Sequence, residues 1–446
     1  MTVDDTVPVV LVVLDGLGDR PSAELGGRTP AEAAATPVLD ALAVRGASGV
    51  HVPFGPGRAT SSEVSHWSMF GYEDVPFPGR AALEGLGAGV QLPLGVPLFH
   101  LALRSGAEVD GSVRITGRVD AQADREDEAT LFAALEDGAH RGVRFSLLPL
   151  RAGERLLVAE GARSHEVSDS DPIFDHLHPW LRPLPLSEAV DREEAIRTAD
   201  ALESWLTQAR GLLSRHPVNL RRVEEGRPPL AVPVTKWPSL LDGTTPTFAQ
   251  RTGVRGGAVT SSALYRGLAR LLEMAESDLP SGGDPGDDVA RRLLLAEKLL
   301  SDTDVVHVHT KAPDEAGHRK SPRLKQLVIE DLDRGLAGLL ELADHAVVAV
   351  TGDHATPSVS SLLHSGDPTP FVVAGPGVRA DDVHSFGEVH SATGSVRTLR
   401  ARDVLPLLVS HANRPFFRGH RPGPWSSVAL PTAPMPMPVI PPGEQP

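Results

Sequence analysis

The sequence predicts an α/β protein built on a mostly parallel sheet, and two observations support this class. First, four segments are mostly apolar and rich in β-branched residues, as expected of strands that are buried on both faces. Second, residues 323–343, between two of these segments, carry apolar side chains at helical spacing, so that strand, helix and strand follow one another as a βαβ unit. The predicted strands are residues 7–14, 305–309, 346–351 and 371–374.

The first predicted strand, residues 7–14, ends at Asp15, which begins a glycine-rich turn. Such a turn places Asp15 at the carboxyl end of the strand, which is the edge at which open α/β sheets bind ligands. A helix is then predicted to begin at Pro30 with Thr29 as its N-cap, because proline suits the first helical position and threonine suits the cap. Helical periodicity continues through residues 36–45.

The middle of the chain has a different pattern, in which strands and helices follow one another irregularly. Residues 143–159 alternate in part as antiparallel strands do, and residues 189–215 have the pattern of a long amphipathic helix. We therefore predict a second, α+β domain inserted into the first. The predicted boundaries are 1–78 and 242–420 for the two parts of the first domain, 79–241 for the inserted domain and 421–446 for a proline-rich tail.

The composition of the chain excludes several functions. Its 43 Lys and Arg residues against 58 Asp and Glu residues give a net charge of −15, the opposite of the basic excess that nucleic-acid-binding proteins carry. The chain has no cysteine, so any metal must be held by Asp, Glu, His or hydroxyl oxygens. The N-terminal residues lack the features of a signal peptide, and no apolar run is long enough to span a bilayer. We expect a cytoplasmic protein that binds neither nucleic acid nor membranes.

Four segments that are far apart in the sequence offer ligands for metal ions. One follows the first predicted strand, and one is a hydroxyl-rich segment that precedes a helix-like run. A third carries an aspartate and a histidine at i and i+4, which on one helical turn share a face. The fourth follows the strand at 346–351 directly. The candidate ligands are Asp15, Ser62, Asp314, His318, Asp353, His354 and His364.

Each of these pieces also has an ordinary structural interpretation. Asp15 suits a turn, Ser62 suits a helix cap, and Asp314 with His318 suits a solvated helix pair. Two adjacent ionisable residues at the end of a buried strand, Asp353 and His354, are more specific, because their burial is costly unless they are paired or bind a metal.

Taken together, the candidate ligands are enough for two divalent cations. Three carboxylates and one serine alkoxide carry about four negative charges, which two such cations neutralise. A two-metal site suits in-line phosphoryl displacement, with Ser62 as the nucleophile whose pKa is lowered by coordination. Mn²⁺ is our first choice for mixed Asp and His ligands, and Zn²⁺, Co²⁺ and Mg²⁺ remain alternatives.

The same segments carry a resemblance to a known family. Residues 14–19, 62–66, 314–318 and 351–354, the last followed by His364, resemble the alkaline phosphatase superfamily. Within it, the chain is similar to the archaeal-type branch of the cofactor-independent, or 2,3-bisphosphoglycerate-independent, phosphoglycerate mutases, from about residue 7 to residue 415. The resemblance implies an alkaline-phosphatase-like sheet flanked by helices, with an inserted α+β lid domain.

The resemblance also implies roles for the candidate residues. Ser62 would carry a phosphoserine, and the inserted domain would close over a small phosphorylated acid and grip its carboxylate with arginines. The implied reaction is the interconversion of 3- and 2-phosphoglycerate, an isomerase step of glycolysis. One metal would be bound by Asp15, Ser62, Asp353 and His354, and the other by Asp314, His318 and His364.

The chain departs from the family in the inserted domain. Residues 113–118 keep two arginines, Arg114 and Arg118, but lack the third arginine and the aspartate of the family's pattern, and Lys236 stands where an arginine is expected. Lysine does not replace arginine conservatively at a bidentate carboxylate site. We predict that Arg114, Arg118, Lys236 and His66 bind the substrate, although a solvated charge or a structural histidine remains an alternative for each.

These departures leave the substrate open. The first hypothesis is a phosphoglycerate mutase, whose natural substrate is 3-phosphoglycerate or a related phosphorylated acid. The second is a phosphatase, or a phospho- or phosphonotransferase, that acts on another phosphorylated or phosphonylated small molecule. A third, from another class, is a non-catalytic binding protein whose fold is stabilised by metal.

Overall fold

A computed structural model describes residues 5–135, 138–150, 153–173 and 178–416. These residues form two compact units. Unit 1 comprises residues 5–76, 246–261 and 272–416, and unit 2 comprises the described residues of 77–245 and 262–271. The domain boundaries predicted from the sequence stay a prediction, and the predicted tail at 421–446 lies outside the described residues. Within those ranges, no helix is both long enough and apolar enough to cross a membrane.

Fourteen strands occur in the described residues, and most of them are buried along most of their length. They are β1 (Val9–Leu14), β2 (Ala47–His51), β3 (Leu98–Val109), β4 (Ser112–Arg118), β5 (Gly138–His140), β6 (Val143–Pro149), β7 (Arg155–Glu160), β8 (Val232–Ser239), β9 (Gly256–Thr260), β10 (Ala275–Asp278), β11 (Val305–Thr310), β12 (Val347–Thr351), β13 (Thr369–Ala374) and β14 (Arg397–Leu399).

The helices of the described residues alternate with these strands, and a short 3-10 turn spans Ala23–Leu25. They are α1 (Pro30–Ala33), α2 (Pro37–Arg45), α3 (Ser62–Met69), α4 (Arg80–Gly87), α5 (Arg125–Ala133), α6 (Arg192–Leu213), α7 (Pro217–Glu224), α8 (Phe248–Thr252), α9 (Ala263–Leu271), α10 (Pro285–Leu299), α11 (Ala312–His318), α12 (Pro322–Gly335), α13 (Leu339–Leu342), α14 (Glu388–Ser391) and α15 (Ala401–His411).

Unit 1 contains an eight-stranded sheet in the order β10-β9-β11-β1-β12-β13-β2-β14. Five of its seven strand pairings are parallel, and only β13 runs antiparallel to both of its neighbours. The predicted mostly parallel sheet is therefore confirmed. The predicted βαβ unit is present, but β1 lies between its two strands, so the connection from β11 to β12 crosses over one strand.

Strand β1 has the sequence VVLVVL, and each of its six side chains is buried. Such a strand has no polar face for water and is stable only with helices on both sides of the sheet. Helix α12 supplies part of that cover through Ile329 and Leu332. The predicted helix over 323–343 is divided into α12 and α13. Gly335 ends α12, where a Cβ would lie 2.1 Å from the carbonyl oxygen of Gly286 on α10.

The predicted helix start at Pro30 is confirmed and forms a capping box. The Thr29 hydroxyl accepts a hydrogen bond from the Glu32 amide at 3.1 Å, and the Glu32 carboxylate accepts one from the Thr29 amide at 2.9 Å. These bonds satisfy two amides that a helix start otherwise leaves without partners. The helix has a single turn, and α2 then begins separately at Pro37.

Unit 2 contains an antiparallel sheet in the order β4-β3-β7-β6-β5, with β8 paired to β3. The antiparallel strands expected over 143–159 are β6 and β7, in which Phe145 faces Ala159. The predicted long amphipathic helix is α6, and it packs Leu202 and Trp205 into the same core as Phe145. This unit therefore has the α+β composition that the sequence predicts.

Candidate active site

The carboxyl ends of β11, β1 and β12 lie side by side in the sheet of unit 1. Val13 of β1 is in register with His309 of β11 and with Thr351 of β12. Asp15 and Asp353, which follow β1 and β12, are both fully buried. The parallel arrangement therefore brings together two carboxylates that are far apart in sequence.

The turn after β1 requires glycine. Gly16 has φ +65°, and a Cβ there would lie 2.5 Å from the Thr356 hydroxyl and 2.9 Å from the Asp314 Cα. Its amide donates a hydrogen bond of 2.9 Å to Asp353 Oδ1. The Asp15-Gly16 pair thus allows the segments that carry Asp314 and Asp353 to approach the end of β1 closely.

Ser62 is the first residue of α3 and is almost fully buried. Its hydroxyl Oγ lies 2.9 Å from His354 Nε2 and 3.3 Å from Asp15 Oδ1. One turn later, His66 Nδ1 lies 2.8 Å from the Ser62 carbonyl oxygen and 3.6 Å from Asp353 Oδ2. Burial lowers the pKa of His66 to about 4, so this imidazole is neutral at pH 7.

Asp314 lies on α11 and is the centre of a second set of contacts. Its Oδ1 accepts a hydrogen bond of 2.7 Å from the Thr356 hydroxyl, and it is 3.1 Å from His318 Nε2 and 3.7 Å from His364 Nε2. The carbonyl oxygen of Thr60 lies 2.7 Å from His364 Nδ1, which leaves Nε2 directed toward Asp314.

The predicted ligands form two groups whose donor atoms lie within 4.8 Å of one another. One group is Asp15, Asp353 and His354, and the other is Asp314, His354 and His364. His354 belongs to both, and its ring stacks on that of His364 with 3.8 Å between the centroids. His318 is in neither group but contacts Asp314. The predicted division of the ligands between two metals therefore stays a prediction.

The site is electrostatically strained without a cation. Burial and the charge of Asp15 raise the pKa of Asp353 to about 6. Burial also opposes ionisation of Asp15, but Lys311, His309 and His354 outweigh it and hold the pKa of Asp15 well below its usual range. Despite its burial, the surrounding carboxylates, Asp353 first, raise the pKa of His354 to about 9. Protons on Asp353 and His354 thus neutralise part of the negative charge that a divalent cation would otherwise neutralise.

One buried atom tests whether these residues fit a metal ion. Asp353 Oδ2 is buried and has no hydrogen-bond partner in the described residues. Two imidazole nitrogens lie near this oxygen, His354 Nε2 at 3.5 Å and His66 Nδ1 at 3.6 Å. A buried carboxylate oxygen without a donor is costly, and a cation bound there would remove that cost. The donor set of Asp, His and Ser oxygen suits a divalent ion.

Two further residues reach the carboxylates and are missing from the sequence prediction. His309 Nε2 lies 3.1 Å from Asp15 Oδ2, and its Nδ1 lies 2.7 Å from the Ser261 hydroxyl. Lys311 Nζ lies 3.7 Å from Asp15 Oδ2 and 3.6 Å from Asp314 Oδ2. The available signal is the VVHVHT sequence of β11, in which a histidine interrupts an apolar strand next to its carboxyl end.

A buried lysine holds the loops around the site. Lys325 Nζ, on α12, donates hydrogen bonds of 2.8–2.9 Å to the carbonyl oxygens of Gly16, Gly18 and Thr356. It also lies 3.0 Å from Asp19 Oδ2, and both side chains are fully buried. Lys325 therefore joins the turn after β1 to the loop after β12, and a lysine inside an amphipathic helix offers no signal of this role in the sequence.

The predicted substrate-binding residues of unit 2 separate into two sets. Arg118 and Lys236 border one cavity of about 290 Å³, together with Arg104, Glu128 and Glu154. Arg114 is not among the described lining residues of this cavity and lies further along β4, opposite Ala107. Burial, together with the charge of Arg104, lowers the pKa of Lys236. The cavity thus carries three basic and two acidic side chains.

Comparison with known proteins identifies the family of this chain. A family model described as the metalloenzyme superfamily matches residues 7–410. The 2,3-bisphosphoglycerate-independent phosphoglycerate mutase of Thermococcus kodakarensis is 34% identical over 411 residues, which are 91% of this chain and 97% of that protein. The enzyme of the same name from Thermoplasma acidophilum is 37% identical over 417 residues, which are 91% of this chain and 98% of that protein.

Solved structures give the same result for the fold. A protein from Pyrococcus horikoshii has a TM-score of 0.74 and 29% identity, with 93% of this chain and 99% of that chain covered. The cofactor-independent phosphoglycerate mutase from Thermoplasma acidophilum has a TM-score of 0.62 and 32% identity, with 91% and 100% covered. The chain therefore belongs to the metalloenzyme superfamily and, within it, to the family of the archaeal 2,3-bisphosphoglycerate-independent phosphoglycerate mutases.

Proposed function

We propose that this protein is a metal-dependent phosphoglycerate mutase that interconverts 3- and 2-phosphoglycerate through a phosphoserine at Ser62. The observation that carries the proposal is the position of the Ser62 hydroxyl, which is buried within 3.3 Å of both His354 and Asp15. A serine at a helix start needs no such partners for capping, and α3 has no side-chain cap hydrogen bond from the preceding residue. A nucleophile does need an adjacent group that accepts its proton.

The residues that would hold metal are those of the two groups that share His354, together with Ser62 and His318, which contact members of these groups. We propose two divalent ions, with Mn²⁺ as the first choice, held by Asp15, Ser62, Asp314, His318, Asp353, His354 and His364. Bound there, they would neutralise the charge on the transferring phosphoryl group and favour the ionised form of the serine. The charge balance supports two ions, because the three aspartates and a serine alkoxide carry about four negative charges.

The side chains themselves prepare the serine. Asp15 Oδ1 accepts the hydrogen bond of the Ser62 hydroxyl, which fixes the direction of the attacking oxygen. The phosphoryl group would pass from the 3-oxygen of the substrate to Ser62 Oγ, and the 3-oxygen would take up the proton that the serine loses. In the second transfer the phosphoryl group would pass from Ser62 Oγ to the 2-oxygen, and the proton of the 2-hydroxyl would return to Ser62. His309 holds the other oxygen of Asp15 at 3.1 Å and so keeps Oδ1 turned toward the serine.

We propose that the cavity of unit 2 binds the carboxylate of the acid. Arg118 and Lys236 border it, and Arg104 adds a third positive charge. Arg104 is paired with Asp171 at 2.8 Å, and Arg118 donates a hydrogen bond to the carbonyl oxygen of Ile173. We keep Arg118 and Lys236, the residues that the sequence predicts, as the candidates for the substrate. Arg114 lies away from the lining residues and is the weakest of the predicted substrate ligands. His66 stays a candidate for the phosphoryl end through its position beside Ser62.

A product assay tests the proposed function. Purified protein loaded with Mn²⁺ is mixed with 3-phosphoglycerate, and the products are followed by ³¹P nuclear magnetic resonance. We expect 2-phosphoglycerate with little free phosphate, because a mutase must keep water away from its phosphoserine. Rapid release of phosphate would contradict the mutase proposal and favour a phosphatase. The names of the relatives do not favour that alternative, nor a non-catalytic binding protein. We also propose that the protein acts in the cytoplasm.

A further inference from the structure

We propose that unit 2 contains a separate site for a divalent transition-metal ion, with Glu84, His100 and Glu154 as its ligands. One donor atom from each of the three side chains lies within 4.8 Å of the other two. Glu84 is on helix α4, His100 is on strand β3, and Glu154 directly precedes strand β7. The three ligands therefore come from three different elements of one compact unit.

The distances between the donor atoms are those of a coordination sphere. His100 Nε2 lies 3.2 Å from Glu154 Oε2 and 3.6 Å from Glu84 Oε2. Bonds of roughly 2.0–2.2 Å to a tetrahedral zinc ion place its ligand atoms about 3.3–3.6 Å apart. The imidazole nitrogen is thus at a suitable distance from both carboxylates for one ion to bind all three.

His100 provides an independent observation that a ligand is missing. Its side chain is fully buried, and neither ring nitrogen has a hydrogen-bond partner within the described part of the chain. The approach of Nε2 to Glu154 Oε2 is short but lacks the geometry of a hydrogen bond. Buried polar groups are nearly always satisfied, so an imidazole nitrogen that is directed at two carboxylates without bonding to either requires an explanation.

The surrounding side chains orient this cluster without occupying it. Arg80 Nε lies 2.9 Å from Glu84 Oε1, which leaves Oε2 as the oxygen nearer to His100. The ring of Trp237 packs edge-on against His100 with 5.0 Å between the centroids. Arg80 and Lys236 both stack on Trp237, at 3.9 and 4.0 Å from its ring. These contacts therefore hold His100 and Glu84 in place before any ion binds.

The donor set favours a particular class of ion. One imidazole and two carboxylates suit Zn²⁺, Co²⁺ or Mn²⁺ better than Mg²⁺ or Ca²⁺, which prefer oxygen ligands alone. The two carboxylates together exceed the single positive charge of Arg80, which is paired with Glu84, so the group still attracts a cation. Glu154 also borders the cavity of about 290 Å³, and its side chain is one third exposed, so an ion can reach the site from that side.

The site is tested by counting metal ions in the full-length protein. The protein is stripped with a chelator, reloaded with Zn²⁺ and freed of excess metal, and zinc per chain is then measured by mass spectrometry. We expect His100→Gln and Glu154→Gln each to bind one ion fewer than the unmodified protein. His140→Gln, which changes a histidine of strand β5 in the same unit, is the matched control and should bind the full number.

Two further measurements distinguish this site from the proposed active site and from a folding defect. An Asp353→Asn variant changes the site of unit 1 and should still lose one ion when His100→Gln is added. Circular dichroism checks the fold, and Glu154→Gln is the safer variant because its side chain is partly exposed. In crystals soaked with Zn²⁺, we expect an anomalous peak within about 2.3 Å of His100 Nε2.

Equal zinc content in the unmodified protein and in both variants, with no anomalous peak beside His100, would overturn the proposal. Because zinc is counted rather than turnover, the outcome does not depend on whether the protein is a mutase. A protein that fails the phosphoglycerate assay can still show the expected zinc count, and a protein that passes the assay can still fail the zinc count.

Discussion

Ser62 Oγ lies 2.9 Å from His354 Nε2, although 292 positions separate the two residues in the sequence. Ser62 begins helix α3, and His354 follows strand β12, so neither local segment specifies the contact. The distance is that of a hydrogen bond. This pair is the basis for assigning the nucleophile, and it leads to the first prediction.

Ser62→Ala should reduce turnover of 3-phosphoglycerate by roughly 10³-fold or more, because it removes the hydroxyl that we propose carries the phosphoryl group. The measurement is a steady-state assay of 2-phosphoglycerate formation with Mn²⁺. Ser61→Ala is the matched control, since the Ser61 side chain makes no cap hydrogen bond to α3, and it should stay near the activity of the unmodified protein. Substantial activity in Ser62→Ala would exclude the covalent mechanism.

His309→Asn should weaken metal binding or turnover by roughly 10–100-fold, as is usual when a partner that orients a metal ligand is removed. The reason is the 3.1 Å contact between His309 Nε2 and Asp15 Oδ2, which a shorter side chain cannot make. Binding of Mn²⁺ is measured by calorimetry. The comparison variant is His307→Asn, which removes another buried imidazole from the same strand. The ring of His307 packs against His66 and Phe70. Equal losses in the two variants would contradict an orienting role for His309.

Chelation should destabilise the protein more at high pH than at low pH. In the metal-free site the pKa of Asp353 is raised from 3.8 to about 6 and that of His354 from 6.5 to about 9. Stability from a raised pKa is present below the unfolded value and is lost as the pH rises through the folded value. The chelated protein should therefore lose stability between about pH 6.5 and pH 9 as His354 loses its proton, while bound cations replace that proton. The measurement is the melting temperature, with and without chelator.

The gap between the two melting temperatures should widen from about pH 7 to pH 9. The lowered pKa values of Asp15, Asp314, His66, His309 and His364 act in the opposite sense, but their contribution is lost only as the pH falls below about 6.5. Asp353→Asn removes the carboxylate that contributes most to the raised pKa of His354 and should flatten this dependence. A gap that stays constant with pH would show that the buried carboxylates do not bind the chelated metal.

Lys325→Met should lower the free energy of unfolding by roughly 3–5 kcal/mol, because it leaves Asp19 as a buried charge without its partner. The measurement is urea denaturation. Adding Asp19→Asn should recover part of the loss, since the two side chains act as one pair. Lys298→Met, on the exposed face of α10, should change stability by less than about 0.5 kcal/mol. Additive losses in the double variant would contradict the coupling.

Local pattern was enough to predict several parts of the fold. The apolar strands at the two ends of the chain, the capping box at Thr29 and the antiparallel strands of unit 2 all follow from periodicity or from the preferences of single residues. The placement of Asp15 and Asp353 after buried strands was also predictable, since parallel strands present their carboxyl ends at one edge.

The residues that the sequence prediction missed depend on contacts between distant segments. His309 meets Asp15 because β11 lies next to β1, and strand order is not encoded in either strand alone. Lys325 is on a helix that would be ordinary if the loops after β1 and β12 did not close around its amine. In the sequence, Arg114 and Arg118 are equal candidates for binding the substrate, but only Arg118 is among the lining residues of the cavity.

The sequence by itself determined the fold class, the family resemblance and the chemical type of the candidate site, because hydrophobic periodicity and the residues after each strand are local properties. Tertiary structure alone decided which donors converge: it placed His354 in both ligand groups and brought Glu84, His100 and Glu154 together from three elements. The physical reason is that the donor atoms of one ligand group must lie within a few ångströms of one another. Those distances are set by strand order and packing rather than by spacing along the chain.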